Sequence, residues 1–332
     1  MKRLLAALDA GAGATRFVGG CVRDTLLGLD VSDVDLATRL APEEVIRRLG
    51  KARIKAVPTG LAHGTVTAVL GGAPIEVTTL RRDLSTDGRR ATIAYTEDWR
   101  EDAARRDFTI NALFADPESG ALFDYFGGLG DLEARRVRFI GDPLGRIAED
   151  HLRILRFFRF HARFGAGAPD EAALDACAAR ANDLMALSRE RIADELMKLL
   201  ALPDPTPTVR LMIARGILKP VLPEIDGADG LAALVECERT AGIAGNAVRR
   251  LAALLPRDPG NAAGIAARLR LSKRAASRLA SAVDPRLDAP EVLAYEIGAE
   301  EAVDRFLIAG RAELDLARLQ LWQRPRLPIK GG

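Results

Sequence analysis

Long apolar runs, clustered cysteines and lysine are what this chain has least of. No stretch of its 332 residues approaches 18 consecutive apolar positions, which excludes a hydrophobic membrane-spanning helix. The opening MKRLLAALDAGAGATRF begins basic, but its apolar run is too short and too interrupted for a signal peptide. Three cysteines, Cys21, Cys177 and Cys237, stand far apart and are odd in number, so neither a disulfide framework nor a zinc spacing follows. A reducing cytoplasm is the expected compartment, with no membrane partner. Lysine occurs seven times against 41 arginines, yet the formal net charge is only +2. The arginine bias has two readings, genome composition or selection for planar, bidentate contacts to phosphates and bases.

What is present is an ordinary globular composition, 48% hydrophobic and 28% charged, long enough for two or three domains. Up to about residue 140, short β-branched runs alternate with turns and a helix or two. GTVTAVL and PIEVTTL, joined through Gly71-Gly72, read as a hairpin. After Asp142-Pro143 the pattern is helical almost to the end. PLGRIAEDHLRILRFFRFHARFG reads as one long helix closed by Gly165, and LPDPTPTVR as a proline-rich break. The expected fold class is α+β: a small mixed sheet with flanking helices, then an all-helical region.

The densest chemistry lies in FVGGCVRDTLLGLDVSDVDLAT. Phe17-Val18 end a strand, and Gly19-Gly20 make a tight turn that lets a ligand approach the backbone. The helix that follows leaves N–H groups open to an anion, and Arg23 in its first turn can add a fork of donors. DVDLAT reads as a strand, on which Asp33 and Asp35 share one face. Two adjacent carboxylates repel unless a cation lies between them, and a few oxygen ligands beside phosphate suit Mg²⁺. In IEVTTLRRD, Glu76 shares a strand face with Thr78; if that strand lies near Asp33 and Asp35, three carboxylates converge and can hold two metals. Singly, each piece has a plain explanation: a turn, a solvated strand face, a surface ion pair. Their combination within a short span favours the functional reading. Further on, Arg153, Arg156 and Arg159 form a polar stripe at helical spacing, while Ile154, Leu155, Phe157 and Phe158 pack elsewhere.

GGCVRDTLLG with SDVDLAT, IEVTTLRRDLSTDGRR, DWREDAARRDFTINAL and RIAEDHLRILRFFRF, in that order over residues 16–165, resemble the class II (bacterial-type) CCA-adding enzyme and poly(A) polymerase family of nucleotidyltransferases. The resemblance implies a nucleotidyltransferase domain over 1–140, a helical neck that recognises the base over 141–201, and a helical RNA-binding body and tail over 202–332. It implies that Asp33, Asp35 and Glu76 bind catalytic Mg²⁺, and that the triphosphate meets Gly19, Gly20 and Arg23. Arg106 would serve the nucleotide. Asp107 and Asn111 would help with phosphate, ribose or local structure, or cap the TINAL segment. Glu149, Asp150 and Arg153 would carry base recognition, and Arg156 and Arg159 would bind nucleotide.

The implied reaction is untemplated addition of C, C and A from CTP and ATP to the tRNA 3′ end. RRDLSTDGRRA resembles the flexible loop associated with A addition. A-only addition or polyadenylation are the alternatives within the family, and a non-catalytic RNA-binding protein is the remote one. No His-Asp pair occurs, so no phosphohydrolase domain of the kind some members carry is expected within these residues. VRRLAALLPR, RLRLSKRAASRLA and RAELDLARLQLWQRPRLPIK could contact phosphates, although interspersed acids argue for packing helices at most positions. GAGATRFVGG invites a dinucleotide-binding reading, but no β-branched strand enters its turn.

Overall fold

The structure, a computed structural model, describes residues 1–87 and 90–311. The chain forms two compact units: residues 1–153 with 164–177, and residues 154–163 with those from 178 onward. The stretch expected as a neck, 141–201, is thus shared between them.

In the first unit the strands are β1 (Thr15–Val18), β2 (Asp35–Thr38), β3 (Lys55–Gly60), β4 (Thr65–Leu70), β5 (Ala73–Thr79), β6 (Arg81–Asp87), β7 (Arg90–Tyr95), β8 (Leu113–Ala115) and β9 (Leu122–Asp124). Seven of them make one sheet in the order β3-β4-β5-β2-β1-β8-β9, and β6 and β7 form a separate two-stranded ribbon. The sheet is mixed, because β2 and β5 run parallel while the other pairs are antiparallel. The β4–β5 hairpin turns on Gly71 (φ +58°) and Gly72 (φ +87°), the left-handed pair that matches strand twist.

Helices α1 (Lys2–Ala7), α2 (Gly20–Leu26), α3 (Pro42–Lys51), α4 (Trp99–Ala104), α5 (Gly128–Glu133) and α6 (Pro143–Glu149) belong to this unit. Helix α3 has Pro42 in its first turn with Glu43 and Glu44, and Arg48 and Lys51 in its last turn, complementing the helix dipole at both ends. Its Val45 and Leu49 pack with Leu4, Leu8, Leu36, Val66 and Val77. A second cluster gathers Val18, Ala37, Leu80, Trp99 and Phe114. Each of these fully buried large side chains contributes about 1.5–3 kcal/mol. Leu36 goes to one cluster and Ala37 to the other, so Asp35 shares the side of Ala37.

Several expectations are corrected. The strand expected from Asp33 begins at Asp35, and Asp33 lies in the preceding loop. The long helix is broken into α6 and α7 (Arg153–Phe164), with Asp150 extended between them at φ −154° and ψ 106°. The Asp150 carboxylate accepts from the Leu152 N–H at 3.1 Å, a local bond that competes with helix continuation. TINAL contributes only a 3₁₀ turn, Thr109–Asn111. The expected RRDLSTDGRRA loop falls largely in the β6–β7 ribbon, with positions 88–89 outside the described residues.

Residues 154–163 of α7 group with the second unit, and α8 (Glu171–Ala179) lies mainly in the first. The second unit continues with α9 (Arg189–Leu200), α10 (Thr206–Ala214), α11 (Asp229–Thr240), α12 (Ala247–Ala252), α13 (Pro259–Arg268), α14 (Lys273–Val283), α15 (Pro290–Ile297) and α16 (Ala299–Ile308). Of the proline-rich stretch 202–210, residues 202–205 lie between α9 and α10, while residues 206–210 already form the start of α10. Asn246, Asp258 and Ser272 cap α12, α13 and α14 through their side chains.

The basic segments of this unit act mainly as cross-links. Arg249 reaches Glu238 and Asp304, and Arg250 reaches Glu238 together with the carbonyls of Leu200 and Pro203. Arg278 joins the same Asp304, and Arg268, Arg270 and Arg274 pair with Glu224, Glu190 and Glu300. The basic run beyond Arg311 lies outside the described residues.

Candidate active site

The site grows from the parallel pairing of β2 and β5, which sets Asp35 directly beside Glu76. Register partners on adjacent strands project to one side, so two carboxylates face the same space. Burial raises the Asp35 pKa, the charges of Glu76 and Asp33 raise it further, and Arg106 opposes them. Asp33 is therefore felt at the site, although loop geometry rather than strand alternation places it there. Its carboxylate accepts from Ser32 Oγ at 2.9 Å.

Among the described residues, no three acidic, histidine or cysteine side chains close into a complete metal cage. A small hard cation needs none: Mg²⁺ keeps several waters and takes one or two carboxylates together with substrate phosphates. Asp35 and Glu76, paired in register, crowd negative charge that a divalent cation relieves, so the residues present fit such an ion.

The neighbouring strand β1 pairs with β2 and leads into the β1–α2 turn. Gly19 sits at φ +73° and ψ −124°, a conformation only glycine adopts readily, and a Cβ there would lie 3.2 Å from Arg106 Nη1. Arg106 leaves the end of α4 and bonds Asp102 Oδ2 at 3.0 Å, while its buried Nε has no partner. The same Asp102 holds Arg105 at 2.8 Å and is only 1% exposed. One negative charge is thus shared by two guanidinium groups, which leaves net positive charge beside the turn. Burial pushes the Asp102 pKa up, but Arg106 and Arg105 overcome that and hold it below the ordinary value. The D-x-x-R-R spacing at a helix end is the signal that would have found Asp102, since both arginines fall within one turn of it.

Arg23 lies differently. It is 5% exposed, its Nε and Nη2 both reach Asp24 Oδ1 at 2.7 Å, and the Phe164 ring centroid is 4.0 Å from its guanidinium carbon. Arg23 Nη1 donates to Asn111 Oδ1, and Asn111 Nδ2 donates to Asp107 Oδ1 at 2.9 Å. Cys21, behind the same turn, has its pKa raised, chiefly by burial. It lines an apolar cavity of about 560 Å³ with Phe17, Val22, Leu26 and Val34.

Around the α6–α7 break, Glu149 Oε2 takes hydrogen bonds from Arg146 and Arg153, both at 2.5 Å, and Arg153 also donates to the carbonyls of Arg146 and Arg105. Asp150 lies beside this cluster at the break itself. Arg156 and Arg159 belong to the second unit. Both pair there with the buried Glu195, Arg159 at 2.6 Å and Arg156 at 3.8 Å.

Residues 15–138 match the family described as the poly A polymerase head domain, and residues 168–228 match the probable RNA and SrmB-binding site of polymerase A. The mitochondrial CCA tRNA nucleotidyltransferase 1 of Mus musculus is 47% identical over 188 residues, which are 56% of this chain and 43% of the mouse protein. The CCA-adding enzyme of Oceanobacillus iheyensis is 43% identical over 185 residues, 55% of this chain and 45% of that protein. The chain therefore spans less than half the length of these curated relatives. The solved CCA-adding enzyme of Bacillus stearothermophilus, in complex with CTP, superposes with a TM-score of 0.78 at 27% identity, over 96% of this chain and 81% of that one.

A mixed sheet carrying paired carboxylates beside a glycine turn, joined to helices, is the architecture of a nucleotidyltransferase. Within that class, the matches over residues 15–138 and 168–228 and the likeness to the solved enzyme make the chain similar to CCA-adding enzymes and poly(A) polymerases.

Proposed function

We propose that this protein adds C, C and A, without a template, to the 3′ end of tRNA, using CTP and ATP and releasing pyrophosphate. The observation that carries the reading is the Asp35–Glu76 register pair together with Arg106, whose charge acts on Asp35 and which packs against the Gly19 turn. Asp33, Asp35 and Glu76 would hold Mg²⁺, which when bound neutralises phosphate charge and favours ionisation of the attacking hydroxyl. Gly19 and Gly20 offer backbone close to the triphosphate, and Arg106 supplies net positive charge and an unpaired donor. The RNA 3′-oxygen bonds to the α-phosphorus as the bond to the leaving pyrophosphate breaks. Holding those atoms in line provides most of the rate.

Base choice follows from hydrogen-bond polarity. Asp150 only accepts and Arg153 only donates. Cytosine and adenine present an amino donor beside a ring acceptor, whereas uracil and guanine present the reverse, and a mismatched buried polar group is heavily penalised. Any nucleotide role of Arg156 and Arg159 is played from guanidinium groups already paired with Glu195. The helical unit would grip the tRNA. Among the described residues no helix is long and apolar enough to cross a membrane, and the cytoplasm is the proposed compartment.

Mg²⁺-dependent incorporation of labelled CTP and ATP into a tRNA lacking its CCA end is the expected result. ATP incorporation only onto tRNA ending in CC would select A addition, and long A tracts on any RNA would select the polymerase. No incorporation from either nucleotide would sink the enzymatic reading.

A further inference from the structure

Two arginines flank the glycine turn, and their surroundings differ in charge. Arg106 shares Asp102 with Arg105, so the trio keeps a net positive charge, and the Arg106 Nε is buried without a partner. Arg23 has a carboxylate of its own. Asp24 takes two of its donors at 2.7 Å, Phe164 covers one face at 4.0 Å, and the whole residue is 5% exposed. Next to a phosphate, the Arg23–Asp24 pair presents almost no net field.

What Arg23 does reach is Asn111, whose amide is polarised through: its oxygen accepts from Arg23 and its nitrogen donates to Asp107 Oδ1 at 2.9 Å. Asp107 is the residue after Arg106, and its Oδ1 also accepts from the Phe108 N–H at 2.8 Å. The Asn111 carbonyl meanwhile lies 3.5 Å from where a Gly19 Cβ would stand, and the Gly19 N–H donates to the Leu113 carbonyl at 3.0 Å. A buried chain of hydrogen bonds therefore runs Asp24–Arg23–Asn111–Asp107, tying the helix after the glycine turn to the segment that carries Arg106.

We propose that Arg23 is a positioning residue that acts through Asn111 and Asp107 to seat Arg106 against Gly19, and that contact with the triphosphate is left to Arg106 and the turn backbone. The assignment rests on the nucleotidyltransferase reading of this site. A satisfied buried network rigidifies what it joins, and its members act as a unit rather than additively.

The test is a double-mutant cycle in the full-length chain with Arg23→Lys, Arg23→Ala, Asn111→Ala and the doubles. With CTP and trimmed tRNA, each single substitution should lower kcat on the order of tenfold. KM for CTP and inhibition by inorganic pyrophosphate should stay within about threefold. The doubles should be no worse than the poorer single, because both changes cut one link. Arg23→Lys keeps the charge but cannot bridge Asp24 and Asn111, so it should resemble Arg23→Ala in kcat.

The proposal is overturned if Arg23→Ala weakens CTP and pyrophosphate about tenfold while Asn111→Ala does not, with losses that multiply and Arg23→Lys near the parent. Melting temperatures give a second readout independent of activity. The shift of Arg23→Lys/Asn111→Ala should fall short of the sum of its singles, and additive shifts would also overturn the link. A parent that turns over no CTP defeats the functional reading, and the thermal cycle still decides the relay.

Discussion

Buried arginines work in opposite ways in the two units. In the helical unit, Arg249, Arg250 and Arg278 close a circuit with Glu238, Asp304 and Glu300, three arginines against three carboxylates, with Arg249, Arg250, Glu238 and Asp304 all below 4% exposure. In the sheet unit the charges do not balance. Asp35 and Glu76 repel across a parallel register, and Arg105 and Arg106 compete for one Asp102. A closed circuit holds four helices, α11, α12, α14 and α16, in one arrangement. An open one leaves charge of both signs without a balancing partner, which is what the proposed cation and triphosphate would meet. Arginine count alone, high in both units, would not have separated these uses.

The comparison can be broken by mutation, and the largest effect belongs to the open circuit. Asp35→Asn should cost about 10³-fold or more in kcat, roughly 4 kcal/mol of transition-state stabilisation. It should leave the melting temperature equal or higher, because a repulsion is removed; a lower melting temperature with normal turnover would refute the assignment. In the closed circuit the consequence should invert. Glu238→Ala strands two buried guanidinium groups and should cost about 3–5 kcal/mol in denaturant unfolding. Turnover per folded molecule should stay within about twofold, and loss of activity at unchanged stability would contradict this.

Smaller effects sharpen the picture. Gly19→Ala forces an L side chain to φ +73°, costing about 1–2 kcal/mol. It should also lower kcat about tenfold by pressing on Arg106, which a CTP titration with stability measured in parallel would separate. The smallest is a pH effect. The Asp102 pKa is depressed in the folded state, so its contribution is present above the ordinary carboxylate pKa and is lost as pH falls through the folded value. The stability gap between the parent and Asp102→Asn should therefore shrink between about pH 4 and lower pH in urea melts. A gap independent of pH would show that Asp102 does not act through its charge.

Much of this was legible before any fold was known. The Gly19-Gly20 turn, the β4–β5 hairpin and the carboxylates Asp35 and Glu76 were read from local pattern, because turns and strand alternation are set by neighbouring residues. The break at Asp150 was not read, since helical periodicity runs on through it, while the local bond to Leu152 competes with helix continuation. Arg23 was read as a phosphate donor from its place in a helix first turn. Its partners Asn111 and Phe164 are 88 and 141 positions away, and no local pattern announces them.

The sequence by itself determined which groups are available: a glycine that can take a left-handed turn, carboxylates spaced for a strand, and a family likeness carried by four motifs. Tertiary structure alone decided how they combine. Parallel pairing is a choice of register between distant strands, and burial depends on what the rest of the chain brings over a side chain. Those long-range contacts made Asp35 and Glu76 neighbours, neutralised Arg23 and left Arg106 with a donor to offer.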